Sequence, residues 1–297
     1  NIMDTTFLSI LAFAIITIVY FATSALGKPK LTLDILANTQ GELDAYFTNN
    51  LKSLGIYLLL IIVAQIVINS MYMVTKCGGA TGSNIAVAIA STIFPWIFIF
   101  GIAMATIIMF PGLKSAFTDV VGYFFVASKA NNLLTSILAD IQTENVVQGL
   151  SSEEQNKLRL ASDALLKITS DKSLIINQMV PDNFLQFWQT LEQGNLLKQN
   201  IPDLQAKKAE LFDLVVLKDN VGDATWYFMT AILIISVVSY NLVKKGCKQD
   251  VSSIQAGQQQ YQANQEAIDK ANEAVNNQVY TLDPKQNPSQ TNIIEQP

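Results

Sequence analysis

The chain has 297 residues, of which 50% are hydrophobic and only 14% are charged, and its formal net charge is −5. Soluble domains carry about 25% charged residues, so this composition is typical of a membrane protein. The sequence contains no histidine and two cysteines, which excludes Ser-His-Asp and Cys-His catalysis and a four-ligand structural zinc site. No basic block is present, so nucleic-acid binding has no electrostatic basis.

Four stretches of the sequence carry no charge, and each contains an apolar run of about 18 residues or more, enough for a helix to cross a hydrocarbon core of roughly 30 Å. These runs are residues 5–26, 54–74, 85–110 and 226–243. The sequence therefore predicts an all-α, multi-span transmembrane helical protein with about four spans. Coupled transporters keep ionisable groups inside the membrane as relays, so the uncharged runs argue against that class.

The first run is read here as a membrane anchor, and a cleaved signal peptide is the alternative. Thr23-Ser24-Ala25 would be a tolerable cleavage site, but the segment before the run has no basic residue and the apolar core is long. Residues 1–111 are predicted to hold spans one to three with an interfacial loop. Within that loop, residues 34–51 favour a short helix lying on the lipid headgroups.

Two polar side chains stand inside the second span. Gln65 and Asn69 lie four residues apart, on one face of a helix. Amides in hydrocarbon usually hydrogen-bond to a neighbouring helix, so the expected role of this pair is helix packing, with a polar conduction path as the alternative. A glycine-rich turn, residues 75–84, joins the second and third spans and makes them antiparallel neighbours.

The third span contains a proline and a pair of small residues. Pro95 removes one backbone hydrogen bond and predicts a kink. Gly101 and Ala105 form a small-xxx-small pattern, which predicts close contact with another helix. After the span, residues 112–141 are predicted to form an amphipathic helix on the membrane surface, with a re-entrant element over residues 116–127 as the alternative.

Residues 142–222 are predicted to be a small soluble helical domain between the third and fourth spans. Ser151 with Glu154 predicts a capping box before a first helix. Pro181 predicts the start of a second helix that ends at Gly194, and Pro202 the first turn of a third. Such a domain of about 80 residues can only just support its own core, so packing against the membrane or a partner protein is expected.

Residues 223–245 are predicted to be the fourth transmembrane helix, and the parity of the spans brings the two cysteines to one side. Cys77 and Cys247 follow the second and fourth spans, which run in the same direction, so a disulfide between them is geometrically open. Two free thiols are an equal or better alternative. On the membrane side opposite to the cysteines lie Lys28, Lys30, Lys52, Lys114 and Lys218. Lysines near the membrane favour the cytosolic side, so they slightly favour a cytosolic position for residues 112–223.

Residues 246–297 form a polar tail rich in Gln and Asn. Apolar residues recur in it at every seventh position, namely Ile254, Tyr261, Ile268, Val275 and Leu282. A single stripe of this kind predicts a helix that docks on another protein, and a disordered tail is the alternative. The last segment, residues 283–297, is predicted to be disordered without a partner.

No sequence motif predicts catalysis. The run Gly78-Gly79-Ala80-Thr81-Gly82-Ser83 has the composition of a phosphate loop but lacks the following Lys-Ser/Thr, and no carboxylate pair stands out along residues 142–222. We therefore predict no enzyme activity, no catalytic residue, no cofactor and no metal site.

A longer pattern resembles a known class of membrane protein. It runs from Lys76-Cys77-Gly78-Gly79 through Phe94-Pro95-Trp96 and Phe110-Pro111-Gly112-Leu113-Lys114-Ser115-Ala116-Phe117 to Val121-Gly122-Tyr123. Over residues 74–138, about a fifth of the chain, it resembles membrane proteins of nucleocytoplasmic large DNA viruses of the phycodnavirus and mimivirus kind. This resemblance implies a virion protein of the internal membrane, present in a host membrane during assembly, and it assigns no residue a chemical role.

These observations lead to two functional hypotheses. The first is a structural protein, a minor capsid component that anchors the internal viral membrane to the capsid shell, with capsid or other virion proteins as partners. The second is an oligomeric channel or a fusion- or entry-type membrane protein, which would act as a homo-oligomer.

Overall fold

The computed structural model describes residues 2–23, 27–38, 40–78, 82–138, 171–194, 196–198, 200–247 and 251–276. It is 89% helical and has no strand in these ranges, so the all-α prediction is confirmed. The chain divides into two compact units, Asn1–Cys247 and Lys248–Pro297. The predicted capping box at Ser151 and the helix after it lie outside the described residues.

Four helices of the described part are long and apolar enough to cross a membrane, and each overlaps one of the four predicted spans. The first is α1 (Ile2–Ala22) and the second is α3 (Gln40–Cys77). The third, Gly82–Met109, consists of α4 (Gly82–Pro95), a π-helical turn (Trp96–Phe100) and α5 (Gly101–Met109). The fourth is α10 (Leu204–Lys244).

The four spans pack as a bundle around an aromatic core. Helices α1 and α4 each contact both α3 and α10, so the four helices form a closed ring. Phe13, Tyr57, Trp96 and Phe100 are fully buried at its centre, and the Phe13 ring lies 5.8 Å from the rings of both Trp96 and Phe100. The core is therefore filled with large side chains.

The third span accommodates Pro95 with a π-helical turn that follows it directly. Proline lacks the N–H that would bond the preceding turn, and a wider turn redistributes those hydrogen bonds. The predicted contact patch of Gly101 and Ala105 is wrong. Ala105 is exposed and a Cβ at Gly101 would meet no atom within 4 Å, so these residues face away from the bundle.

The second span extends further than the sequence predicts. A short helix, α2 (Leu33–Ala37), begins at Thr32, whose side chain accepts a hydrogen bond from the Ile35 amide. The next helix, α3, then runs without a break from Gln40 to Cys77. Residues 40–51 therefore continue the helix of the second span instead of forming a separate helix on the headgroups.

Residues 111–137 differ from the predicted surface helix. They form a 3₁₀ turn (Pro111–Lys114), α6 (Ser115–Phe117), a π-helical turn (Thr118–Gly122) and α7 (Tyr123–Ile137). Thr118 lies against Gly222, and Gly122 lies against Lys218. Residue numbers increase along this segment while those of their contacts on α10 decrease, so the segment runs antiparallel to α10 and packs along it.

A second hydrophobic core lies beyond the end of the bundle, where α7 and α10 meet α8 (Lys172–Gln178) and α9 (Phe184–Gln193). As predicted, Pro181 opens a turn (Pro181–Asn183) that leads into α9, and Gly194 follows the last residue of α9. The predicted boundary at residues 222 and 223 is absent from the structure. Helix α10 passes straight through it, so the domain's third helix and the fourth span are one helix.

Candidate functional site: a buried charge cluster at the junction

Four charged side chains meet where the bundle joins the second core. Lys28 Nζ lies 2.9 Å from Asp223 Oδ2, and Lys114 Nζ lies 2.7 Å from Asp223 Oδ1. Lys114 Nζ also lies 2.8 Å from Asp219 Oδ2. Lys28 further donates to Asn220 Oδ1 at 2.7 Å. We call the set Lys28, Lys114, Asp219 and Asp223 the junction cluster.

The positions of the junction cluster follow from the ends of the helices. Lys28 stands in the loop after α1, and Lys114 ends the 3₁₀ turn after α5. Asp219 and Asp223 lie four residues apart on α10, so they share a face of that helix. The hydroxyl of Ser53 on α3 donates to the Gly27 carbonyl and fixes the loop that carries Lys28. All four spans therefore contribute to this end of the bundle.

The junction cluster is nearly withdrawn from water. The Lys28, Lys114, Asp219 and Asp223 side chains are only 10% to 15% exposed. Burial would lower the pKa of each lysine, but the attraction of Asp223 and Asp219 outweighs it and raises the pKa of Lys28 and of Lys114 above the ordinary value. Both amines are therefore protonated at neutral pH, and both face the carboxyl groups of Asp219 and Asp223.

A second ion pair lies next to the cluster. Lys218 is fully buried, with its Nζ 3.2 Å from Asp119 Oδ1 and 3.5 Å from the Asn177 carbonyl oxygen. This contact joins α10 to the π-helical turn before α7 and to α8. Gly122 and Gly222 make the close approach possible, because a Cβ would lie 2.4 Å from the Lys218 carbonyl oxygen in the first case and 2.0 Å from Thr118 Oγ1 in the second.

The pairing of charges in the junction cluster indicates a structural role, which is to hold helices together. Each lysine is held by two acceptors, and each of the two Asp223 oxygens accepts from a different lysine. Buried charges in a low dielectric are stable only when they are paired in this way. The cluster therefore constrains the loops after α1 and α5 against one face of α10.

The opposite end of the bundle is closed by different chemistry. Cys77 and Cys247 are joined in a disulfide with their Cα atoms 5.4 Å apart. Next to it, Lys76 Nζ donates to the carbonyl oxygens of Leu242, Val243 and Lys245 at 2.7 to 2.8 Å. The last carbonyls of a helix lack intrahelical partners, so Lys76 caps α10. Both contacts tie the end of α3 to the end of α10.

The two amides of the second span bind two different helices. Gln65 Nε2 donates to the Ser9 carbonyl oxygen on α1 at 2.9 Å. Asn69 Nδ2 donates to Thr92 Oγ1 on α4, also at 2.9 Å. Both side chains are at most 3% exposed. These are contacts of the interhelical packing kind, and they cross the bundle interior.

The predicted docking stripe lies on a helix of the second compact unit, α11 (Val251–Asn276). Ile254, Tyr261 and Ile268 are 49%, 67% and 56% exposed. Val275 belongs to the same helix, and Leu282 lies outside the described residues. The part of the stripe whose side chains are described is thus available at the surface of this unit.

Sequence reasoning missed the junction cluster, although one signal was present. Lys28, Lys114 and Asp223 are the charges that bound the uncharged runs on the same membrane side. Opposite charges at the same ends of neighbouring spans are natural partners, so the span parity that brings Cys77 and Cys247 to one side also brings these charges to the other side. The partners are more than 100 residues apart, so local patterns give no sign of their pairing.

No family model matches this chain, and neither curated proteins nor solved structures give a match.

Proposed function

We propose that this protein is a structural integral membrane protein that fixes a lipid bilayer to an overlying protein layer. In the finer form of the proposal, the bilayer is the internal membrane of a large DNA virus particle and the layer is its capsid. The resemblance of residues 74–138 supports that finer form. The protein would then be a minor capsid component.

The main support for the proposal is that one helix, α10, contributes buried side chains to both hydrophobic cores. Leu211, Phe212 and Val215 are buried in the second core, and Tyr227, Ile234 and Val238 are buried in the bundle. One uninterrupted helix therefore links whatever the domain binds to the membrane-spanning bundle. A structural connector needs such a rigid link.

The junction cluster supports the same function. A flexible hinge between the two cores would allow the domain to move relative to the membrane. Instead, Lys28 and Lys114 hold the loops after the first and third spans against α10 where the two cores meet. The alternative of a conducting path would need polar groups such as Gln65 and Asn69, and these are engaged with Ser9 and Thr92 within the bundle.

The proposal can be tested on purified particles. After a non-ionic detergent has removed the lipid, we expect the chain to remain on the protein shell. Complete release together with the lipid would contradict the proposal.

A site-specific photo-cross-linker sharpens this test. At Gln189, an exposed position on α9, we expect adducts with a shell protein. At Leu233, which is 68% exposed in the middle of the fourth span, we expect lipid adducts alone. Identical adducts at both positions would argue against a shell-facing domain.

A further inference from the structure

A band of large apolar side chains is exposed just beyond the junction cluster. Phe110 and Leu113 are 58% and 52% exposed, and Val120, Phe124 and Phe125 are 68%, 80% and 66% exposed. We call these five residues the wedge. They begin at the end of the third span and continue its outward-facing apolar surface, on which Ile102, Ile108 and Met109 are also exposed.

The wedge ends abruptly along α7. After Phe125, the exposed positions of this helix are Ser128, Lys129, Asn132 and Thr135, and all of them are polar. The inward-facing positions from Val126 to Ile137 belong to the second core. The change from apolar to polar therefore occurs only on the outer face, within one helical turn.

The antiparallel helix α10 changes in the same way and at the same level. Its exposed side chains are polar at Glu210 and Asp213, and the next three exposed positions are the apolar Leu217, Met229 and Leu233. Gly122 lies against Lys218, which places Phe124 and Phe125 beside Leu217 in height. On two helices that run in opposite directions, the exposed side chains thus change from polar to apolar at about the same level.

Helix geometry gives the depth of this plane. At 1.5 Å per residue, Asp223 lies about 32 Å and the Leu217 level about 40 Å from Lys244 along α10. A hydrocarbon core is about 30 Å thick, and the bilayer with its headgroup layers is about 40 to 45 Å thick. With Lys244 at one edge of the hydrocarbon core, the cluster falls at the opposite edge, and the wedge extends about 8 Å further, through the headgroup layer to its outer limit. On α3, Leu51 and Lys52 precede Ser53, whose hydroxyl bonds the loop that carries Lys28, and this mixture of apolar and charged residues suits an interface.

We propose that the wedge is a lipid-binding surface that inserts between the headgroups of the leaflet on the domain's side. The first turns of the domain are thereby embedded, and the remainder stands outside the bilayer. Water-exposed aromatic rings of this size would forgo about 25 cal/mol for each Å² of apolar area, and interfacial lipid removes that cost. This inference concerns lipid alone and holds whichever protein the domain binds.

Tryptophan quenching tests the depth directly. The full chain is reconstituted in vesicles whose lipids carry bromine either near the glycerol end or near the methyl end of the acyl chain. The fluorescence that Phe124→Trp adds to the wild-type signal should be quenched more strongly by bromine near the glycerol end. Gln189→Trp, on the exposed face of α9, is the matched control and should be little affected, whereas Leu233→Trp should be quenched most by bromine near the methyl end.

Two results would overturn the inference. One is quenching of Phe124→Trp no stronger than that of Gln189→Trp. The other is a blue-shifted but unquenched Phe124→Trp emission, which would mean that protein, either a second copy or a partner, covers the wedge. Phe125→Trp provides an independent reading if the first variant fails to fold.

Discussion

Lys28 and Lys114 bind the same carboxylate, that of Asp223, and each amine takes its own oxygen. The two lysines lie 86 positions apart along the chain, yet they meet at distances of 2.9 and 2.7 Å from this one side chain. Asp223 is therefore the centre of the junction cluster. Its loss would leave two buried amines with one remaining carboxylate.

This arrangement predicts a large effect of Asp223→Asn. Removing one partner of a buried ion pair costs about 3 to 5 kcal/mol, because the remaining charge is uncompensated. We expect a loss of that size in the free energy of unfolding, measured by denaturant titration in detergent micelles.

The chain offers a matched control for Asp223→Asn. Lys30 and Asp213 form an ion pair between the same two elements, but their side chains are 61% and 50% exposed. Exposed pairs contribute about 0 to 1 kcal/mol, so Asp213→Asn should have little effect. Equal losses for the two variants would show that the buried pairing is not the source of stability.

The close packing of the α6–α7 segment against α10, which we call the crossing, predicts that one added methyl group lowers the stability of the protein. Gly122→Ala and Gly222→Ala would each force the two helix backbones apart, and overpacking of this kind costs about 1 to 3 kcal/mol. Gly101→Ala meets open space and should be neutral or slightly stabilising. Thermal unfolding of the three variants checks the order, and an equal effect of Gly101→Ala would contradict the crossing.

The disulfide predicts a simple labelling result. In the protein isolated without reductant, a maleimide added under denaturing conditions should find no reactive thiol. Reduction should expose two, and Cys77→Ser should leave the Cys247 thiol reactive without reduction. Loss of the crosslink is expected to lower stability by about 2 to 4 kcal/mol. Labelling of both cysteines before reduction would exclude the bond.

The amide contacts predict a loss of stability without a change in permeability. Interhelical hydrogen bonds in membranes contribute about 0.6 kcal/mol on average, so Gln65→Leu with Asn69→Leu should cost on the order of 1 kcal/mol. Ion flux through proteoliposomes should equal that of the wild type. Ser236→Leu, at an exposed position of α10, is the control for added apolar area. A change in flux confined to the double variant would favour the channel hypothesis.

The spans could be predicted because a long apolar run without charged residues is a property of one continuous stretch of the sequence. Their ends could not, as α10 shows. Asp219, Asp223 and Lys218 looked like the border of a soluble domain, but each is paired with a residue from another element. A buried charge that has a distant partner does not end a helix. The crossing at Gly122 and Gly222 was missed for a related reason, since both residues contact positions about 100 residues away.

The order of the residues along the chain has a consequence for biosynthesis. Asp219, Asp223 and Cys247, the partners of Lys28, Lys114 and Cys77, all belong to or follow the last span. A ribosome that has completed the first three spans has therefore made Lys28, Lys114 and Cys77 but none of these partners. Until α10 is inserted, these two lysines have no counter-charge, so the fourth span is the one that completes this bundle.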